Sequence, residues 1–202
     1  MVAGASRTAG AAGAVATGAV SYSSDALRAA VLNSTNYYRA QHQAKALAWD
    51  DDLASYAQDY AKKCIWQHSD GPYGENLAEG FPSPVFAIDG WAGEETKYNY
   101  RRAKFSESTG HSTQLVWKNT TAVGCGAAHC STTGTKGVKG WILVCEYNPQ
   151  GNVIGQFKQE VAKPGESSNT DRLGFGAGSS VSSKSRLMGV LAAVYVLLAI
   201  CV

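Results

Sequence analysis

Cys64, Cys125, Cys130 and Cys145 are the side chains with the clearest capacity for covalent or metal chemistry, and they all lie in the middle of the chain. Zinc sites use thiolates in close pairs, but no CxxC pair is present and the step from Cys125 to Cys130 is wide for neighbouring ligands. Disulfides are the better reading. Four cysteines allow three connectivities, which counting alone leaves open. Bridges of this kind imply an oxidising compartment. Cys201, next to last, is left without a partner.

His111 and Ser112 invite a second reading, a hydroxyl nucleophile beside its base. Neighbours on a helix point about 100° apart, so their side chains do not naturally meet, and no Asp stands out as the orienting third group. Trp91 and Glu94, three residues apart on one predicted helix, would place an indole and a carboxylate at the same opening.

Several elements must carry these groups. Over residues 25–42, Leu27, Val31, Tyr38 and His42 share a helical face. Asp50, Asp51 and Asp52 supply a cap and negative charge for a second helix, whose inward face is Leu53, Tyr56, Ala57, Tyr60, Ala61 and Cys64. Ser83 and Pro84 open a third helix that carries Ala87, Trp91 and Glu94 on one side, and a short fourth covers residues 111–117. Residues 123–130 and 138–147 are strand-like across a Thr- and Gly-rich turn. In the second of these, Trp141, Leu143, Cys145 and Tyr147 alternate with Ile142 and Val144, and both sets are largely apolar. A strand buried on both faces reads this way, and helices on both sides of a sheet make an α/β/α sandwich.

The net charge of +2 gives no electrostatic reason to expect nucleic acid. The two ends have the character of targeting signals. Residues 1–20 are a weak signal-peptide-like stretch, Ala- and Gly-rich and lacking Leu, Ile and Phe. Residues 161–186 are a Ser/Gly-rich linker with small residues at Gly176, Ala177, Gly178, Ser179 and Ser180. The apolar run 187–202 would reach roughly 24 Å as a helix, short of a ~30 Å hydrocarbon core. Small residues, a polar spacer and an apolar tail form the pattern of a glycosylphosphatidylinositol attachment signal. The competing reading is a tail-anchored helix. Residues 25–160 form the domain between these signals.

The motifs in that domain resemble a known family. Gly110-His111-Ser112-Thr113-Gln114-Leu115-Val116-Trp117 is similar to the first signature of the CAP superfamily, which groups cysteine-rich secretory, antigen five and pathogenesis-related proteins. Cys145-Glu146-Tyr147-Asn148-Pro149 resembles the second signature, and Gly74-Glu75-Asn76-Leu77 a third short motif. Asn36-Tyr37-Tyr38-Arg39 and Leu47-Ala48-Trp49-Asp50 resemble the family's first helix and the turn after it. Two positions depart from the pattern. Ser112 stands where an aromatic is usual and would re-line the adjacent cavity, and Glu146 replaces a neutral or basic polar residue.

The resemblance implies a three-layer α/β/α sandwich with a central, mainly antiparallel sheet. It implies the pairing Cys64–Cys130 and Cys125–Cys145. It places His68, Glu75, Glu94 and His111 in a central cleft, where their nitrogens and oxygens suit a divalent ion such as zinc or magnesium; the alternative is that they brace the cleft by hydrogen-bonding one another. Tyr98, Tyr100 and Phe105 resemble the loop through which fungal sterol-binding members engage sterols, although the same rings would also serve to close a core. Fatty acids are a further ligand class of the family. The expected function is therefore a non-enzymatic, secreted or cell-surface protein that binds sterols or related apolar ligands, held by its C-terminal lipid anchor at the outer face of the plasma membrane. A metal-dependent hydrolase and a signalling or defence-type wall protein are the alternatives. Asn33 and Asn119 begin glycosylation acceptor sequences, and both must face solvent if they are used.

Overall fold

The computed structural model describes residues 24–131 and 137–165; the terminal signals, most of the linker, Cys201 and the tip between the last two strands lie outside the described residues. Helix α1 (Ser24–Gln41) buries Leu27 and Val31 as its periodicity requires. Strand β1 (Ala48–Trp49) leads into α2 (Asp51–Ala61), where Asp50 Oδ1 accepts hydrogen bonds from the Asp52 and Leu53 amides at 2.9 and 3.0 Å. That cap satisfies two of the amides a helix leaves unpaired at its start. Strand β2 (Gly74–Glu79) precedes α3 (Pro84–Gly93), which begins as expected with Ser83 as cap and Pro84 in the first turn.

The third helix stops earlier than its apolar spacing suggests. Glu94 belongs not to α3 but to the 3₁₀ turn that follows it, Glu94–Lys97. Gly90 and Gly93 weaken the helix here, and the Glu94 carboxylate is held by amides of another element. Helix α4 (Gly110–Leu115), strands β3 (Ala122–Ser131) and β4 (Lys139–Asn148) and a final turn, α5 (Phe157–Glu160), complete the fold.

The sheet runs β1-β3-β4-β2, with β3–β4 and β2–β4 antiparallel and the short β1 parallel to β3. Alternation along β4 divides two cores. Leu143, Cys145 and Tyr147 pack with Leu27, Val31, Trp91 and Trp117 beneath α1, α3 and α4. Ile142 and Val144 pack with Ala57, Ala61 and Leu77 beneath α2. Helices thus cover both faces, and the chain is the α/β sandwich expected. Two glycines on β3 set the spacing of one layer. A Cβ at Gly126 would lie 2.2 Å from the Gln58 backbone, and one at Gly124 would lie 2.2 Å from Ala54 N, so only hydrogen lets α2 approach this closely.

Both disulfides join the pairs that the resemblance implies. Cys64–Cys130 ties the chain just after α2 to β3, and Cys125–Cys145 links directly opposed residues of β3 and β4. Such bridges form in an oxidising compartment, consistent with an extracellular setting. Among the described residues no helix is long and apolar enough to cross a membrane.

Candidate functional site

Arg39 anchors the ground on which the site stands. The side chain is fully buried, and it donates to the carbonyls of Lys45, Leu115, Trp117 and Thr120 at 2.8 to 3.0 Å. Those acceptors include the Leu115 carbonyl at the end of α4 and two in the turn after it, so α1 fixes the helix that carries His111. Burial lowers the guanidinium to about 10, still charged at neutral pH.

His111 is bound closely. Its Nδ1 lies 2.8 Å from Glu94 Oε1, and Glu94 Oε2 accepts from the amides of His111 and Ser112 at 3.1 and 3.2 Å. Trp91 stacks on the imidazole at 6.0 Å and donates its indole N–H to the Leu77 carbonyl. Asn76 Nδ2 donates to the His111 carbonyl at 3.1 Å. No hydrogen bond joins Ser112 Oγ to His111, so the nucleophile–base pair does not form.

A second pair stands at the edge strand. His68 Nδ1 lies 2.5 Å from Glu75 Oε1, which also accepts from the Ser69 amide at 3.0 Å. Glu75 is nearly buried. Burial pushes its carboxyl up, but hydrogen bonds from His68, Glu146 and Ser69 outweigh this and hold it below its usual range. Glu146, directly across the β2–β4 ladder, behaves oppositely: burial and then the neighbouring Glu75 push it up to about 9. Glu75 Oε2 and Glu146 Oε1 are buried and find no N–H donor in the protein. The proton on Glu146 supplies the missing bond.

His68, Glu75, Glu94 and His111 therefore stand as two histidine–carboxylate pairs, not as one set of four ligands. The reason is the strand alternation of β2. Asn76 turns to the α4 side, where it meets the His111 carbonyl, so Glu75 turns to the other face, toward Glu146. Carboxylates do orient metal-binding histidines in this manner. Among the described residues, however, no three His, Cys, Asp or Glu side chains converge so as to hold an ion.

A polar cleft of about 220 Å³ opens beside the edge strand, lined by His68, Tyr73, Glu75, Gln114, Gln150 and Asn152 among others. Glu94 and His111 do not line it. A second cavity, about 200 Å³, lies between α1, α3 and α4 and includes Tyr38, His42, Asp89 and Ser112. Ser112 does border a cavity, as its small side chain suggests.

Two of the three aromatic residues meet, and the third packs elsewhere, so they do not form an open loop. Tyr98 is buried in the core and meets Tyr100 edge-on at 4.8 Å, and the Tyr100 hydroxyl donates to Glu95 at 2.8 Å. Phe105 rests on Phe157 at 6.3 Å and remains 38% exposed. Asn33 and Asn119 are both exposed, as glycosylation would require. Sequence reasoning missed Arg39 as an anchor and the opposition of Glu146 to Glu75. The second had a signal, since Glu146 departs from the family pattern.

The profile of the Cysteine-rich secretory protein family (CAP) matches residues 32–147. "Repressed by EFG1 protein 1" of Candida albicans is 46% identical over 131 residues, covering 62% of this chain and 46% of that protein. "Protein PRY2" of Saccharomyces cerevisiae is 45% identical over 136 residues, covering 65% of this chain and 40% of its own length. The match thus spans less than half of either fungal relative. Among solved structures, NaASP2, crystallised with Zn2+, superposes with a TM-score of 0.54 at 25% identity, covering 68% of this chain and 87% of that one. On its fold, its signature residues and these matches, the chain belongs to the cysteine-rich secretory protein (CAP) family.

Proposed function

We propose that this protein is an extracellular, non-enzymatic carrier of sterols or related small apolar molecules, held at the outer face of the plasma membrane by its C-terminal signal. The observation that supports it is Phe105, resting on Phe157 and still partly open to solvent in the same segment as the packed pair Tyr98 and Tyr100. A flat aromatic edge against solvent gains by covering the flat face of an apolar molecule.

Native mass spectrometry of the secreted chain tests the reading. A co-purifying adduct of sterol or fatty-acid mass, or one-to-one uptake of added cholesterol, is the expected result. A bare chain that takes up neither sinks the proposal.

A further inference from the structure

Outside the cleft, positive charge gathers in one place. The turn after Tyr98 is fixed by Asn99, whose Oδ1 accepts from the Arg101 and Arg102 amides at 3.1 and 3.0 Å and whose carbonyl accepts from Ala103 N at 2.9 Å. That turn holds Arg101, Arg102 and Lys104 exposed just ahead of Phe105. Two ring contacts bring the end of the fold to the same spot. Phe105 lies on Phe157, which is followed by exposed Lys158, and Lys163 Nζ stands 5.9 Å from the centre of the Tyr100 ring.

None of these five cations forms an ion pair with a described carboxylate. Two nearby acids are already engaged, Glu95 by the Tyr100 hydroxyl and Glu160 by the Asn119 amide at 2.8 Å, while Glu107 remains exposed. The whole chain carries a net charge of only +2, so the patch is not the result of a generally basic surface. Within it stands one large, partly exposed apolar side chain, Phe105 at 38% exposure.

We infer that this face, with Arg101, Arg102, Lys104, Lys158 and Lys163 around Phe105, docks the protein on a bilayer containing anionic phospholipids. The cations match the headgroup charge, and the exposed Phe105 ring enters the boundary between headgroups and acyl chains. A soluble polyanion would satisfy the cations but would leave Phe105 in water. The docking does not depend on which apolar molecule the protein carries. Each basic residue near an anionic surface strengthens binding by about fivefold.

Vesicle flotation of the full chain tests the assignment, using phosphatidylcholine alone and phosphatidylcholine with about 30% phosphatidylserine as the anionic probe. The C-terminal apolar run is common to every variant, so differences between variants read the patch. The wild type should float preferentially with the anionic vesicles and lose that preference at high salt. Arg101→Gln/Lys104→Gln/Lys158→Gln should weaken anionic binding by about a hundredfold, and the corresponding triple Glu variant, which reverses each charge, should weaken it further. Circular dichroism confirms that each variant is folded. Equal flotation of the wild type and the Glu variant overturns the proposal, as does equal binding to neutral vesicles. Retention on heparin without vesicle binding also overturns it, in favour of a soluble polyanion.

Discussion

Glu75 and Glu146 stand directly opposite each other on the β2–β4 ladder, facing the same side of the sheet. Two carboxylates at such a position cannot both ionise without cost, so one keeps its proton and the other takes the charge. Glu75 takes the charge because His68 and the Ser69 amide hold it. The protonated Glu146 then acts as a hydrogen-bond donor inside the domain.

Glu146→Gln should therefore stabilise the protein in a pH-dependent manner. The folded-state pKa of Glu146 is raised from 4.5 to about 9, so its contribution is fully present below about 4.5 and is lost as pH rises through 9. Glutamine keeps the shape and the donor without titrating. Urea unfolding at pH 8 should show a gain of about 1–3 kcal/mol over wild type, shrinking toward pH 5. A gain of equal size at both pH values would contradict the shared-proton description.

Arg39→Met should be among the most damaging single changes. It removes a buried cation and strands four carbonyls from Lys45 to Thr120. A loss of about 3–5 kcal/mol in chemical denaturation is expected, with Arg39→Lys recovering only part of it. A change below about 1 kcal/mol would show that water replaces the guanidinium at little cost.

Two glycines should respond oppositely to the same substitution. Gly126→Ala drives a methyl group against the Gln58 backbone and should cost about 3 kcal/mol or more, seen as a lower melting temperature. Gly93→Ala meets open space at the end of α3 and should be neutral or gain up to about 1 kcal/mol. Similar effects at both sites would contradict the close approach of α2 to β3.

Removal of the Cys64–Cys130 bridge as a Cys→Ala pair should lower stability by about 4 kcal/mol, because the bridge closes a loop with a sequence separation of 66. Differential scanning calorimetry of the double variant checks this. An unchanged melting temperature would mean that the α2 layer needs no covalent tie.

Much of this arrangement was legible in the residues. Asp50, Ser83 and Pro84 announce their helix starts through local chemistry, and the doubly apolar β4 announces a covered sheet. The signature residues carried the cysteine pairing. Strand β2 was not legible, since Gly74–Glu79 mixes charged and apolar residues on an edge and no propensity singles it out. Without β2 its register is invisible, so the meeting of Glu75 with Glu146 could not be foreseen, nor the separation of the four cleft residues into pairs. The burial of Tyr98 likewise depends on tertiary packing, because an aromatic in a loop reads the same whether it is covered or bare.

Equilibrium binding of radiolabelled cholesterol to the secreted protein, with Phe105→Ala measured alongside, tests the central claim most directly. Phe105 is the better target because it is partly exposed, whereas truncating the buried Tyr98 would damage the core. The wild type should saturate at one molecule per chain, and Phe105→Ala should bind about tenfold more weakly while remaining folded. Absence of saturable binding by the folded wild type would contradict the account.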